Sequence, residues 1–187
     1  GGTCHPKPQS FCGGETGYVV VTPLVANFSS TNVCVGNETI FTDKTSGGTT
    51  PYSYNWLFGD AGHYTSTAPS PAFIYPDAGI FNVMLNVTDS TTPVKSSSEP
   101  GIVDVWAKPA VDFSAGSQVC PSTTIDFTNN SSAGGPYGGS ISGYVWNFGD
   151  GSGTFLDTNL SHTYSTAGVY TVRLTATNTY SCVNYVE

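Results

Sequence analysis

Two strings, Trp56-Leu57-Phe58-Gly59-Asp60 and Trp146-Asn147-Phe148-Gly149-Asp150, recur 90 residues apart. Self-similarity at a spacing this long marks a duplicated unit, so two domains of roughly 80 to 90 residues each are expected. The expected division is an N-terminal segment over 1–22, a first domain over 23–107 and a second over 108–187. Residues 1–22 read as the tail of a preceding repeat, because Tyr18-Val19-Val20-Val21-Thr22-Pro23 parallels Ile102-Val103-Asp104-Val105-Trp106-Ala107-Lys108.

Outside the strings the two copies share a strand pattern. Tyr170, Val172, Leu174 and Ala176 alternate with Thr171, Arg173, Thr175 and Thr177, which buries one face of a strand. Phe81, Val83, Leu85 and Val87 hold the same phase 89 residues earlier, with Asn82, Met84, Asn86 and Thr88 outward. Upstream, Phe28 matches Phe113, Phe41 matches Phe127, Ile40 matches Ile125 loosely, and Cys34 matches Cys120. Gly and Pro turn signals separate these runs and no segment sustains a helical apolar period, so the expected fold class is all-β, two tandem antiparallel sandwiches.

The repeated string has a local explanation. Trp146 and Phe148 are two apart and face one core, Gly149 permits a turn that a Cβ would hinder, and Asp150 can accept from the turn's free N–H groups. Trp56, Phe58, Gly59 and Asp60 are expected to do the same in the first copy. A catalytic or metal-binding carboxylate is the alternative for Asp150, and its repetition at Asp60 favours the structural role.

Tyr144 to Gly151, His162-Thr163-Tyr164, Ala167 to Leu174 and Cys182 together resemble the polycystic-kidney-disease (PKD) repeat, an immunoglobulin-like sandwich of secreted and cell-surface proteins. The first copy matches through Trp56 to Asp60, Tyr75 and Gly79 to Val83; it departs at Ala61, where the motif has a second Gly, and at Phe73, where the second copy has His162. Val119-Cys120 with a late Cys182 is similar to repeats from Bacteroidota surface proteins, including adhesins of gliding bacteria. The resemblance implies a disulfide between Cys120 and Cys182, closing a loop of 62 residues, a gain of about 4 kcal/mol on the chain-entropy model. Cys34 then lacks its family partner, because the position equivalent to Cys182 falls near Pro93; either Cys4 and Cys12 pair locally or one of them serves Cys34, and five cysteines leave at least one without an internal partner.

Charge excludes some functions. Thirteen acidic against five basic residues, net −8, leave no cation cluster for phosphate, so nucleic acid is not an expected partner. No stretch approaches the ~20 apolar residues that cross a bilayer, so direct membrane insertion is not expected. The cysteines favour an oxidising compartment, and no zinc-ligand spacing occurs.

No catalytic set emerges from His5, His63 and His162 or from any nucleophile or phosphate-loop motif, so no enzyme activity and no cofactor is expected. Asp150, Asp157 and Asp126, or Asp104 and Asp112 near the join, are the candidates for structural calcium, although the acidic run with a bidentate Glu is missing. Six Asn-x-Ser/Thr sequons begin at Asn27, Asn37, Asn86, Asn129, Asn130 and Asn159, and Asp89-Ser90-Thr91 resembles an O-glycosylation acceptor.

The expected function is therefore a non-catalytic, extracellular structural or adhesive module of a cell-surface adhesin or stalk. Its expected partners are neighbouring repeats of the same or adjacent chains, and surface glycans or proteins. One alternative is an accessory role in a secreted protease or polysaccharide hydrolase, with Tyr52, Tyr54, Tyr64 and Tyr137 as candidates for an exposed gripping row. A second is a filament subunit in which residues 17–22 complete the open sheet of the next molecule, since Glu187 arrives before the second domain's last strand is complete. Lys108-Pro109 leaves little slack between the domains, and Trp106 belongs either to their junction or to the first core.

Overall fold

The computed structural model describes residues 22–117, 120 and 122–187; among them every regular element is a β-strand. The first copy comprises β1 (Phe28–Ser30), β2 (Val33–Cys34), β3 (Glu38–Asp43), β4 (Ser53–Leu57), β5 (Thr65–Ser66), β6 (Ala72–Ile74), β7 (Gly79–Thr88) and β8 (Ser96–Trp106). The second comprises β9 (Phe113–Ala115), β10 (Thr124–Asn129), β11 (Ile141–Asn147), β12 (Thr154–Phe155), β13 (Leu160–Thr163), β14 (Arg173–Asn178) and β15 (Val183–Val186). Residues 1–21, with Cys4, Cys12 and most of the 17–22 segment, and Val119 lie outside the described residues.

Each copy is a sandwich of two sheets. Sheet β1-β3-β6 lies over β2-β8-β7-β4-β5, and β9-β10-β13 lies over β12-β11-β14-β15. The register repeats: Trp56 opposes Leu85 and Trp146 opposes Leu174, while Phe28 and Phe113 sit across from Asp43 and Asn129. Trp56, Trp146, Leu85 and Leu174 are fully buried, as alternation on a half-buried strand requires. Phe28, Phe41 and Trp56 form one aromatic cluster, and Phe113, Phe127 and Trp146 its counterpart; the Phe28–Trp56 and Phe113–Trp146 pairs both meet edge to face, at 5.1 and 5.3 Å.

The match of Ile40 to Ile125 is corrected by one position. Ile40 points outward, 43% exposed, and Thr39 is fully buried instead. With Phe41 on Phe127 in the core, period two puts Thr39 in the place of Ile125. The Thr39 hydroxyl has no hydrogen-bond partner.

The copies also differ at one sheet edge. All of β7 is paired by β8, and β2 adds a parallel strand beside Val105 and Trp106. In the second copy β15 pairs only Leu174 to Thr177. Tyr170 to Val172, expected as strand, have no ladder partner; Val169 is fully exposed, and Tyr170 and Val172 line an open groove of about 470 Å³ with Ile125 and Phe127. Val103 and Val105 of β8 fill the equivalent space in the first core.

Candidate functional site at the domain junction

The two carboxylates of the repeated string are turn residues. Gly59 and Gly149 both have φ of 73°, and a Cβ at either would run into the carbonyl oxygen of Asn82 or Thr171. Asp60 is buried and accepts from the amides of Gly62 (2.8 Å) and Tyr64 (3.1 Å). Asp150 accepts from the Ser152 amide (3.0 Å) and hydroxyl (2.6 Å) and pairs with His162 Nε2 (2.7 Å). The Ser152 hydroxyl, then His162, lower the Asp150 pKa to about 2. Domain 1 has Ala61 where the second Gly would stand, and its turn uses left-handed His63, φ 53°, whereas the turn of domain 2 uses Gly151, φ 82°, and Gly153, φ 98°.

The residues around these turns pack alike. Phe58 stacks on Phe73 (4.4 Å, 6°) as Phe148 stacks on His162 (4.1 Å, 6°), so His162 fills an aromatic position. The Tyr75 hydroxyl donates to the Phe58 carbonyl and that of Tyr164 to the Phe148 carbonyl, at 3.0 and 3.2 Å. Burial raises both tyrosine pKa values. These bonds tie the turn to the sandwich and leave Asp150 and His162 oriented by structure.

The other candidates are dispersed. Asp126 accepts from Ser161 Oγ (2.5 Å), Asp104 from Asn32 Nδ2 (3.5 Å), and Asp157 takes part through its carbonyl, which accepts from Trp146 Nε1 (3.0 Å). Among the described residues no three His, Cys, Asp or Glu side chains converge as a metal site. Tyr52 and Tyr54 are half-buried against each other, with hydroxyls donated to the Gly47 carbonyl and to Asp43 (2.8 Å for the latter). Tyr64 and Tyr137 are exposed but belong to different sandwiches, so the four do not form a row. Ser90 Oγ donates to the carbonyls of Thr49 (3.1 Å) and Thr50 (2.9 Å), and Asp89 is buried beneath four donors.

The junction is where the chain is most elaborated. Cys182, in the β14–β15 turn, is disulfide-bonded to Cys34 at the end of β2, with the Cα atoms 5.7 Å apart. The expected Cys120–Cys182 pair is therefore wrong. Cys120 lines the groove beside Gly168 to Tyr170, ahead of β14, whereas Cys182 follows β14's last residue. A six-residue strand separates the two ends by ~20 Å, far beyond disulfide reach. Cys34 instead sits at the end of the first sandwich that faces the second, and Cys120 at the outer end of the second.

Further contacts fix the turn and the junction in place. Tyr180 stacks on Trp106, centroids 4.7 Å apart and planes within 3°. Asn178, 1% exposed, donates through Nδ2 to the Ala107 carbonyl (2.8 Å), while its Oδ1 accepts from the amides of Tyr180 (3.1 Å) and Cys182 (2.9 Å). Asn184 Nδ2 donates to the Pro109 carbonyl (2.9 Å), and the Ala107 amide to the Tyr137 carbonyl (3.0 Å). Trp106 is thus a junction residue. Sequence reasoning missed Tyr180, Asn178 and Asn184; the only signal was an Asn-x-x-x-Cys turn in one copy.

Fold and junction together define a pair of immunoglobulin-like modules in series, with the repeated carboxylates held in turns. The family follows from a direct match: the model of the PKD domain fits residues 20–101 and again 106–187, and the chain belongs to that family. Among solved structures, the chain is similar to the PKD1 domain of Vibrio anguillarum Epp, at 26% identity over 42% of this chain and 86% of that one, TM-score 0.37. It is also similar to the PKD1 domain of the Vibrio cholerae metalloprotease PrtV, at 27% identity over 45% of this chain and 98% of that one, TM-score 0.39. Among the described residues no helix is long and apolar enough to cross a membrane.

Proposed function

We propose that this chain is a non-catalytic extracellular spacer, a stiff pair of PKD modules within a cell-surface adhesin or stalk. The observation that carries the reading is the Cys34–Cys182 bond between sandwiches. A covalent tie beside the Lys108-Pro109 connection gives the domains a second link and restricts hinge motion between them. A disulfide also suits an oxidising compartment outside the cell. Repeated in series, such pairs hold a binding tip away from a surface and offer many weak contacts that sum to avidity toward glycans or proteins.

Small-angle scattering of the oxidised chain and of a Cys34→Ala/Cys182→Ala variant tests the spacer role. A single narrow interdomain geometry is expected for the oxidised chain and a broader one for the variant. A wide distribution with the bond intact defeats the proposal. Retention on insoluble polysaccharide or protein would instead favour an accessory role beside a hydrolase, a reading that the half-buried Tyr52 and Tyr54 do not support. Strand exchange through residues 17–22 rests on a segment almost wholly outside the described residues.

A further inference from the structure

We infer that Cys120 and its turn form a socket for the cysteine-bearing turn of a further PKD sandwich, so that the Cys34–Cys182 joint recurs down an array. The inference rests on the spacer reading and extends it to a defined partner: a domain carrying a Cys182-type turn.

Cys120 occupies the structural place of Cys34. The amide of Asn37 donates to the Cys34 carbonyl at 3.0 Å, and that of Thr123 donates to the Cys120 carbonyl at 3.2 Å. In each turn the second residue after the cysteine has positive φ, 84° at Gly36 and 65° at Ser122. The Ser122 strain is notable, because a serine rarely adopts this conformation without a surrounding structure to hold it. In the first copy this turn holds Cys182, which is 1% exposed once seated. In the second copy Cys120 is exposed and makes no disulfide among the described residues.

The seated turn of the first copy is the independent observation. There Cys34 bonds Cys182 while Trp106, its neighbour at the end of β8, stacks on Tyr180, so the β2 turn and the end of β8 receive the turn together. Both the strand that completes the core and the turn that caps it are thus specified by the first copy. Register gives their connection. Val186 opposes Leu174 as Glu99 opposes Leu85, so Glu187 stands in the place of Pro100 and Gly101 corresponds to the next residue.

Closure of the socket is an oxidation. Two thiols lose two protons and two electrons and form one S–S bond; a small disulfide of the oxidised-glutathione type accepts the electrons and leaves as two thiols.

The test appends a second copy of residues 101–187 directly after Glu187 and folds the extended chain in a glutathione redox buffer. Non-reducing peptide mapping is expected to find Cys34–Cys182 and, in addition, Cys120 linked to the added copy of Cys182. Maleimide labelling of Cys120 should fall at least tenfold relative to the 187-residue chain, and Cys120→Ser should abolish the second link alone. If Cys34–Cys182 forms and Cys120 stays fully labelled, this inference is overturned while the spacer reading survives. If neither link forms, both fall. A second measurement uses the 187-residue chain itself, exposed to a hairpin peptide of residues 173–186 whose cysteine is activated as a mixed disulfide. Mapped coupling to Cys120 should be about tenfold faster than with a scrambled peptide, and equal rates overturn the socket.

Discussion

Tension along this chain should bypass almost all of both sandwiches, and force spectroscopy can measure by how much. When the termini are pulled apart, the load reaches Cys34, crosses the disulfide to Cys182 and leaves through the last residues. The 148-residue separation between the two cysteines lies inside a closed loop. At 3.3–3.6 Å per extended residue that loop hides about 500 Å of contour length. The perturbation is Cys34→Ala/Cys182→Ala, which leaves the Lys108-Pro109 connection as the sole covalent link. Single-molecule extension of the oxidised chain should release only the segments outside the loop. The variant should release two further increments, each from a domain of roughly 80 residues and so about 280 Å long. Domain-sized increments from the oxidised chain would refute the reasoning, because they require the load to run through the cores. A reductant added during the pull should convert the first trace into the second, which separates loss of the bond from damage caused by the substitutions.

The same bond should raise equilibrium stability: closing 148 residues is worth about 5 kcal/mol at 25 °C on the chain-entropy model. Calorimetry should therefore show both domain transitions falling in the Cys34→Ala/Cys182→Ala variant, and a fall confined to one domain would contradict it. Gly149→Ala should cost at least about 2 kcal/mol in urea unfolding, from the left-handed backbone and the collision with the Thr171 carbonyl; a neutral result would show that the turn relaxes. Asp150 is held at about 2, below its unfolded value of about 3.9, so its contribution is complete above that unfolded value and disappears as pH falls toward 2. Asp150→Asn should flatten stability across that window in acid titrations followed by tryptophan fluorescence. Thr39→Val should stabilise the first domain by about 1 kcal/mol, since it removes a buried hydroxyl without a partner; destabilisation in urea melts would imply a partner for that hydroxyl.

Much of each sandwich is legible in the sequence, because its determinants are local or duplicated. A period of two marks β7, and Trp-x-Phe-Gly-Asp encodes two inward rings, a left-handed glycine and a carboxylate that closes the turn. His162 against Phe73 is readable for the same reason: both rings lie flat on the phenylalanine of the string. The error at Ile40 has a clear source. Matching by residue type aligned one isoleucine with another, whereas strand phase, fixed by Phe41 on Phe127, required Thr39.

The disulfide was illegible for a deeper reason. A repeat invites each copy to be read as self-contained, and then Cys120 and Cys182 become partners by default. Pairing, however, depends on which end of the sandwich each cysteine occupies. Position along β14 decides it, since Cys182 follows that strand while Cys120 lies beside the residues that precede it. Opposite ends within one module become adjoining ends between consecutive modules. Cys34 and Cys182 are that adjoining pair, and the absence of a cysteine at Pro93 was the sequence's hint that the copies are not equivalent. Asn178 adds what spacing alone cannot show. Its amide binds the turn's own backbone on one side and the preceding domain's Ala107 carbonyl on the other, so the turn is shaped for a neighbour before any sulfur bond forms.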